Sequence, residues 1–149
     1  FYSIDDFIKW FDYQKAIFDE NVSIVESVKS INELAKFYFA SDLTLLTGTK
    51  ETFSMPVIES LLCGTPVVGY LCGGPETIAI NEYSHFFENG NVVLLSQNMK
   101  KMLDEKIDKE RISSIAKKRY SEKVMASEYR KIYDKITNGN FSKLHEIEI

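Results

Sequence analysis

Two glutamates, Glu51 and Glu59, stand eight residues apart in a stretch that could arrange them around an anion. Glu51 ends a turn-rich segment that follows the apolar run 43–46. Pro56 suits the first turn of a helix, because its missing N–H would have no partner there. Ser54, just before it, is a candidate N-cap. We therefore expect Glu51 on a loop and Glu59 about one turn into the helix, both facing the end of a strand.

A helix that begins at such an edge suits a phosphate. In open α/β sheets, ligands bind outside the carboxyl ends of the strands. The helix N-terminus offers N–H groups and the positive end of a dipole. Ionised carboxylates only accept hydrogen bonds, so Glu51 and Glu59 suit ligand hydroxyls. Phosphate together with hydroxyls describes a nucleotide-sugar, which we expect as the donor substrate.

Strand and helix patterns alternate along the chain. Continuous apolar runs at 43–46 and 67–70 predict buried strands, with further strand candidates at 22–25 and 92–95. Helices are expected near residues 4–18, 32–38, 55–62, 75–80 and 99–136. This alternation predicts an α/β fold with a Rossmann-like, doubly wound parallel sheet.

Composition narrows the function classes. The chain has 149 residues, is 44% hydrophobic and carries a net charge of −4, which suits one globular domain and indicates no nucleic-acid partner. No apolar run is long enough to span a bilayer. Cys63 and Cys72 are expected to be reduced thiols in a cytoplasmic protein, and no further Cys or nearby His completes a metal site. His85 and His145 are expected at the surface.

The stretch that begins at Glu51 resembles the E-x7-E signature of retaining glycosyltransferases with the two-domain GT-B architecture (group 1, family 4). The family form is E-G-F-G-L-x-x-x-E-A-x-A-x-G-T-P-V-V. Here residues 51–59 read E-T-F-S-M-P-V-I-E, and C-G-T-P-V-V follows at 63–68. Residues 33–42 resemble the family's E-L-x-x-x-Y…A-D segment, and residues 73–76 resemble its G-G-x-P-E loop with one residue fewer. The resemblance covers roughly residues 20–137.

The resemblance implies a role for each glutamate. Glu59 would accept hydrogen bonds from the ribose hydroxyls, with an exposed helix carboxylate as the alternative. Glu51, the expected catalytic residue, would lie near the donor sugar and its leaving phosphate; alternatively it is a loop carboxylate that accepts from a backbone N–H. The other expected donor-binding residues are Thr52, Phe53, Ser54, Met55 and, against the base, Val28. Phe53 could also be plain core packing.

This sequence departs from the family form at two glycines. Thr52 and Ser54 replace them, so side chains crowd a loop that would approach the ligand. If either position needs positive φ, a β-branched Thr would be strained. We interpret the changes as altered sugar preference. Gly73 and Gly74 are expected to form a tight turn, and Glu76 to cap the following helix.

Residues 1–137 are thus expected to be the C-terminal nucleotide-sugar-binding domain of a GT-B enzyme, incomplete at its N-terminus, with a tail at 138–149. The family's first donor-domain strand and phosphate-binding basic pair have no match before Phe1. The resemblance implies a cytoplasmic hexosyltransferase in bacterial surface polysaccharide synthesis, peripheral at the inner membrane face. Its glycan or lipid-linked acceptor would bind a missing N-terminal domain. It would need no metal or cofactor, and this chain alone would be inactive.

Two other functions fit parts of the pattern. A GT-B nucleotide-sugar 2-epimerase would need catalytic carboxylates and a histidine in the cleft, for which His85 is a poor candidate. A non-catalytic module would keep only the fold and bind a partner protein or glycan. Donor binding by the intact protein distinguishes the module from both enzymes.

Overall fold

The computed structural model describes residues 22, 23, 25 and 27–137. The chain forms two compact units, Phe1–Ile31 and Asn32–Ile149. In the first unit, residues 22, 23 and 25 have irregular backbone, so the strand expected at 22–25 is not formed by these residues. The helix expected near 4–18 and the tail at 138–149 lie outside the described residues.

Helices and strands alternate from Ile31 to Asp104, and two more helices follow. In chain order they are α1 (Ile31–Ala40), β1 (Thr44–Leu46), α2 (Met55–Leu62), β2 (Val67–Tyr70), a 3-10 turn (Pro75–Thr77), β3 (Ser84–Phe87), α3 (Val92–Asp104), α4 (Lys109–Tyr120) and α5 (Glu122–Thr137). The three strands form one sheet in the order β1-β2-β3, and both pairs are parallel. The predicted parallel α/β sheet is therefore confirmed. None of the described helices is long and apolar enough to cross a membrane.

Strand β2 is the centre of the core because both of its faces are covered. Successive side chains of a strand point to opposite faces. On one face Val67 packs with residues of α2, α4 and the loop before β3, namely Val57, Leu61, Ile80, Ile112 and Ala116. On the other face Val68 and Tyr70 pack with Leu95 and Met102 of α3. This two-sided burial explains why β2 is a continuous apolar run.

The strand predicted at 92–95 is wrong, because these residues begin α3. The Asn91 side chain caps the helix by accepting from the Leu94 N–H at 3.1 Å. A short apolar run cannot by itself distinguish a strand from a helix. The third strand is instead β3, whose sequence Ser-His-Phe-Phe contains no long apolar run.

The helix predicted at 75–80 is also wrong, since only the 3-10 turn Pro75–Thr77 forms. Side chains of α4 bind the carbonyl groups directly after this turn. The Tyr120 hydroxyl donates to the Ile78 carbonyl, and the Arg119 guanidinium donates to the Ala79 carbonyl at 2.9 Å. These two bonds hold residues 78 and 79 against α4.

Candidate functional site

Two loops meet at the carboxyl edge of the sheet. Because β1 and β2 are parallel, the loops that follow them leave the sheet on the same side. The Glu51 N–H donates to the Cys72 carbonyl at 3.3 Å, which joins the loop after β1 to the loop after β2. Glu51 therefore lies at the edge where an open α/β sheet binds ligands, as predicted.

The glycine pair after β2 makes this contact possible. Gly73 has φ of 109°, in the left-handed region that favours glycine. A Cβ placed on Gly74 would lie 2.5 Å from the Phe53 nitrogen and 2.7 Å from the Glu51 carbonyl oxygen. The pair forms the predicted tight turn, and the backbone that Gly74 approaches is that of the protein's own loop.

The Glu76 carboxylate holds the same turn from the other side. It accepts from the Gly73 N–H at 2.7 Å and from the Cys72 N–H at 3.3 Å. Burial raises the pKa of the Glu76 carboxyl, but the backbone N–H groups of Glu76, Gly73 and Cys72 together outweigh it and leave the pKa below its usual range. Glu76 therefore does more than cap its own short turn, because it fixes the residues that precede it.

Glu51 itself has an exposed side chain on this edge. One carboxylate oxygen, Oε1, accepts from the Thr52 N–H at 3.1 Å. Among the described residues, Oε2 has no hydrogen-bond donor. Glu51 thus makes the contact of the alternative interpretation, in which a loop carboxylate accepts from a backbone N–H. Its side chain is nevertheless exposed at the sheet edge.

Ser54 bears the backbone strain that the missing glycines predicted. It has φ of 72° and is the one described non-glycine residue with positive φ, so the strain falls on Ser54 and not on Thr52. It stands at the N-cap position of α2, but its side chain makes no capping hydrogen bond. The prediction of a side-chain cap is therefore wrong, because the left-handed backbone replaces the extended one that a capping serine uses.

The same conformation leaves two backbone N–H groups available at the start of α2. The Val57 N–H donates to the Ser54 carbonyl at 3.1 Å, and Pro56 has no N–H. Within the described part of the chain, the N–H groups of Ser54 and Met55 have no acceptor. These are the groups that a helix N-terminus offers to an anion. The flanking side chains of Phe53 and Met55 are 49% and 52% exposed, so core packing does not account for Phe53.

Glu59 lies one turn into α2, and its carboxylate is fixed by a partner on α1. The Tyr38 hydroxyl donates to Glu59 Oε2 at 3.1 Å. Burial and then the Glu59 charge raise the pKa of Tyr38 from 10.0 to about 12, so Tyr38 remains a donor at neutral pH. No described residue donates to Oε1, which leaves that oxygen for a ligand.

A buried set of hydroxyl groups fixes α1 relative to α2. The Ser60 hydroxyl donates to the Thr65 carbonyl at 2.8 Å, and the Thr65 hydroxyl donates to the Tyr38 carbonyl at 2.6 Å. Ser60 and Thr65 are fully buried. Sequence reasoning did not assign Tyr38, Ser60 or Thr65 to the site. The sequence did contain a signal for Ser60 and Thr65, because these two hydroxyl residues lie within the largely apolar stretch 57–70.

Val28, the histidines and the lysines of α4 have the following surroundings. Val28 belongs to the first unit and is half-buried in irregular backbone. His85 lines a cavity of about 210 Å³ with Pro66 and Tyr83, the residues that precede β2 and β3, and therefore lies at the amino edge of the sheet. An open cleft of about 1000 Å³ is lined by α4, the start of α5 and the ends of α1 and α2, and its lining includes Lys117 and Lys118. His145 lies outside the described residues.

The cysteines are both free and half-buried. Burial, followed by the charge of Glu59, raises the pKa of the Cys63 thiol. Burial, followed by the charge of Glu76, raises the pKa of the Cys72 thiol. Both therefore remain thiols at neutral pH. Across residues 22, 23, 25 and 27–137, no group of three or more His, Cys, Asp or Glu side chains lies close enough to hold a metal ion.

Comparison with known proteins identifies the family. The family described as "Glycosyl transferases group 1" matches residues 13–119. N-acetyl-alpha-D-glucosaminyl L-malate synthase of Bacillus anthracis is 28% identical over an alignment of 107 residues, and the match covers 68% of this chain and 28% of that relative. D-inositol 3-phosphate glycosyltransferase of Thermobispora bispora is 37% identical over 59 residues, which are 40% of this chain and 14% of that relative.

A solved structure has the same fold. The crystal structure of Anabaena HepE in complex with UDP superposes with a TM-score of 0.62 at 20% identity, and the match covers 93% of this chain and 38% of that one. The HepE complex with UDP-glucose gives the same TM-score of 0.62. This chain thus spans well under half the length of the relatives that it matches.

Proposed function

The chain belongs to the group 1 glycosyl transferases, and on that premise we propose that residues 1–137 bind the nucleotide-diphosphate sugar donor of a retaining glycosyltransferase. The observation that carries the proposal is the pair of N–H groups without an acceptor among the described residues, at Ser54 and Met55, which lie between Glu51 and Glu59 in the sequence. An anion site flanked by hydroxyl acceptors suits this class of donor.

The diphosphate would bind at the start of α2. The N–H groups of Ser54 and Met55 donate to its oxygens, and the positive end of the helix dipole favours its charge. When the sugar leaves, negative charge develops on the terminal phosphate. Donors that are already in place stabilise this charge without reorganisation.

Glu59 would bind the ribose. A ribose presents two neighbouring hydroxyl groups, and a carboxylate can accept from both. Tyr38 holds Oε2 at 3.1 Å and so fixes the orientation in which Oε1 is presented. Because Glu59 stands on a helix with a hydrogen-bonded partner, it is ready to bind without reordering.

Glu51 would contact the transferred sugar near its leaving phosphate. Its carboxylate positions the sugar and is not a nucleophile, in agreement with front-face attack guided by the leaving phosphate. Thr52, Phe53 and Met55 would line the sugar and diphosphate pocket. Thr52 has an exposed side chain where the family has glycine, so it would narrow this pocket and influence which sugar fits.

Names of the relatives support the donor class. The HepE complexes contain UDP and UDP-glucose. For the acceptor, we propose a glycan or lipid-linked molecule of surface polysaccharide synthesis, made at the cytoplasmic side of the membrane. The names of the matched relatives include L-malate and D-inositol 3-phosphate, which favours a small hydroxy acid or polyol as the second candidate.

Calorimetry with UDP and UDP-glucose tests the proposal. Glu59→Gln keeps the size but removes the charge that strengthens hydrogen bonds to ribose hydroxyls. A charge-assisted bond contributes roughly 1.5–3 kcal/mol, so both ligands should bind about tenfold to a hundredfold more weakly. Glu105→Gln, an exposed glutamate at the end of α3, is the matched control.

Glu51→Gln should behave differently from Glu59→Gln. Because Glu51 would contact the sugar, its substitution should weaken UDP-glucose binding and slow transfer in the complete enzyme more than it weakens UDP binding. If Glu51→Gln and Glu59→Gln both bind like the parent chain, the donor assignment is wrong. The chain is then better explained as a non-catalytic module.

A further inference from the structure

Glu76 lies directly behind the loop proposed to bind the donor, although no substrate contact is assigned to it. We call residues 51–55 the donor loop and residues 72–74 the supporting turn. Glu76 begins no long helix, since the 3-10 turn ends at Thr77. Its carboxylate accepts from the N–H groups of Cys72 and Gly73, which precede that turn.

A short series of contacts links this carboxylate to the donor loop. Glu76 accepts from the Gly73 N–H at 2.7 Å and from the Cys72 N–H at 3.3 Å. The Cys72 carbonyl, which belongs to the same peptide group as the Gly73 N–H, accepts from the Glu51 N–H at 3.3 Å. Gly74 is buried against the backbone of Thr52 and Phe53, too closely for any side chain. Only backbone contacts separate Glu76 from the donor loop.

We propose that Glu76 is a positioning residue for the donor loop. By accepting hydrogen bonds from two N–H groups of the supporting turn, it fixes the direction of the Cys72 carbonyl and the position of Gly74 against the donor loop. Those two features determine where the backbone of residues 51–53 lies, and hence where the N–H groups of Ser54 and Met55 point. Glu76 acts through the backbone and does not touch the donor. This inference rests on the proposed function, because it concerns the same site.

The charge of Glu76 matters more than its size in this arrangement. A carboxylate accepts from both N–H groups at once, whereas a glutamine side chain offers one oxygen and directs its own N–H groups at the donors. Charge-assisted bonds to backbone N–H groups are also shorter and stronger than neutral ones. Glu76→Gln should therefore preserve part of the positioning of the donor loop, and Glu76→Ala should preserve none of it.

Amide exchange measured by NMR on the 149-residue chain tests the link without any ligand. In Glu76→Ala, the N–H groups of Cys72 and Gly73 should exchange roughly tenfold faster than in the parent, because each loses a charge-assisted bond, and the Glu51 N–H should exchange faster because its acceptor, the Cys72 carbonyl, is no longer held in place. Resonances of Ser54 and Met55 should shift. The exchange rates of Glu76→Gln should lie between those of the parent and Glu76→Ala, and the rates of Glu105→Gln should match those of the parent. If only residues 72–76 change in Glu76→Ala and Glu76→Gln, the inference is overturned.

Binding of uridine and UDP then separates a positioning role from general loss of structure. Uridine lacks the diphosphate, so its affinity should be the same in Glu76→Ala as in Glu105→Gln. UDP affinity should fall roughly tenfold in Glu76→Ala and recover in part in Glu76→Gln. An equal loss for uridine and UDP would show a merely structural role. If the parent chain binds neither ligand, the proposed function fails by itself, and the amide exchange alone decides whether Glu76 positions the loop.

Discussion

Glu59 and Glu51 stand on opposite ends of one short stretch, yet the protein positions them by different means. Glu59 lies on a helix, and its carboxylate is held by Tyr38, whose own carbonyl is bound by the buried hydroxyl of Thr65. Glu51 lies on an exposed loop, and its place depends on backbone contacts with Cys72 and Gly74. The core fixes the first carboxylate, and a neighbouring loop fixes the second.

The two means of support suit the two ends of a donor, one of which stays unchanged while the other reacts. A residue on a packed helix is held more accurately than one on a loop, which suits a part of the ligand that does not change. A loop supported by another loop can adjust, which suits the part of the ligand that reacts and leaves. The two regions should therefore respond differently when their supports are removed.

The largest effect is expected when the support of Glu51 is broken at Gly74. In Gly74→Ala, the new Cβ would meet backbone atoms of Thr52 and Phe53 at 2.5 Å, which neither loop can relieve by a change of rotamer. Such overpacking costs about 1–3 kcal/mol of unfolding free energy, measured by chemical denaturation. UDP binding should weaken as the donor loop shifts. Gly48→Ala is the control, because nothing lies within 4 Å of a Cβ there. Equal stability of the two variants would contradict the close approach of the loops.

A smaller effect is expected when the support of Glu59 is removed by Tyr38→Phe. The substitution removes one hydrogen bond to a carboxylate, at a cost of about 1 kcal/mol. Because the pKa of Tyr38 is raised from 10.0 to about 12, its contribution is complete below pH 10 and is lost as the pH rises to about 12. The parent should therefore lose more stability than Tyr38→Phe over this alkaline range, as followed by thermal unfolding. Parallel loss in both proteins would show that Glu59 does not depend on Tyr38.

The smallest effect concerns the strained residue between the two glutamates. Ser54→Gly removes the left-handed strain of a residue with φ of 72° but increases the freedom of the unfolded chain. The two effects partly cancel, so we expect a gain of about 0.5 kcal/mol in unfolding free energy. Ser54→Ala keeps the Cβ and should give no gain, which denaturant titration of both variants can check. A stabilising Ser54→Ala would mean that the hydroxyl, and not the backbone, is unfavourable.

The sequence predicted the parts of this arrangement that depend on local patterns. The buried run 67–70 identified the central parallel strand, and Pro56 marked the start of α2, because both signals lie within a few residues. The bond between Tyr38 and Glu59 joins residues 21 positions apart and depends on how α1 packs against α2. No pattern within either segment contains that information.

The wrong secondary-structure predictions also arise where contacts between distant residues outweigh the local pattern. Residues 92–95 are apolar enough for a strand, but Asn91 caps them as a helix, and α3 is kept in place by contacts of Leu95 and Met102 with the sheet. Strand β3 was missed because its pairing with β2 outweighs its weak local signal. The roles of Glu51, Glu59 and Val28 toward a donor stay predictions, since they concern a ligand.

Titration of the 15N-labelled chain with UDP, followed by NMR, tests the central claim most directly. The claim is that a nucleotide diphosphate binds between the two glutamates. It predicts that the largest changes fall on the N–H groups of Ser54 and Met55, with smaller changes at Tyr38 and Glu59, and that Glu59→Gln weakens the whole response. Changes centred on Lys117 and Lys118, in the basic cleft lined by α4 and the start of α5, with residues 51–59 unaffected, would contradict the account.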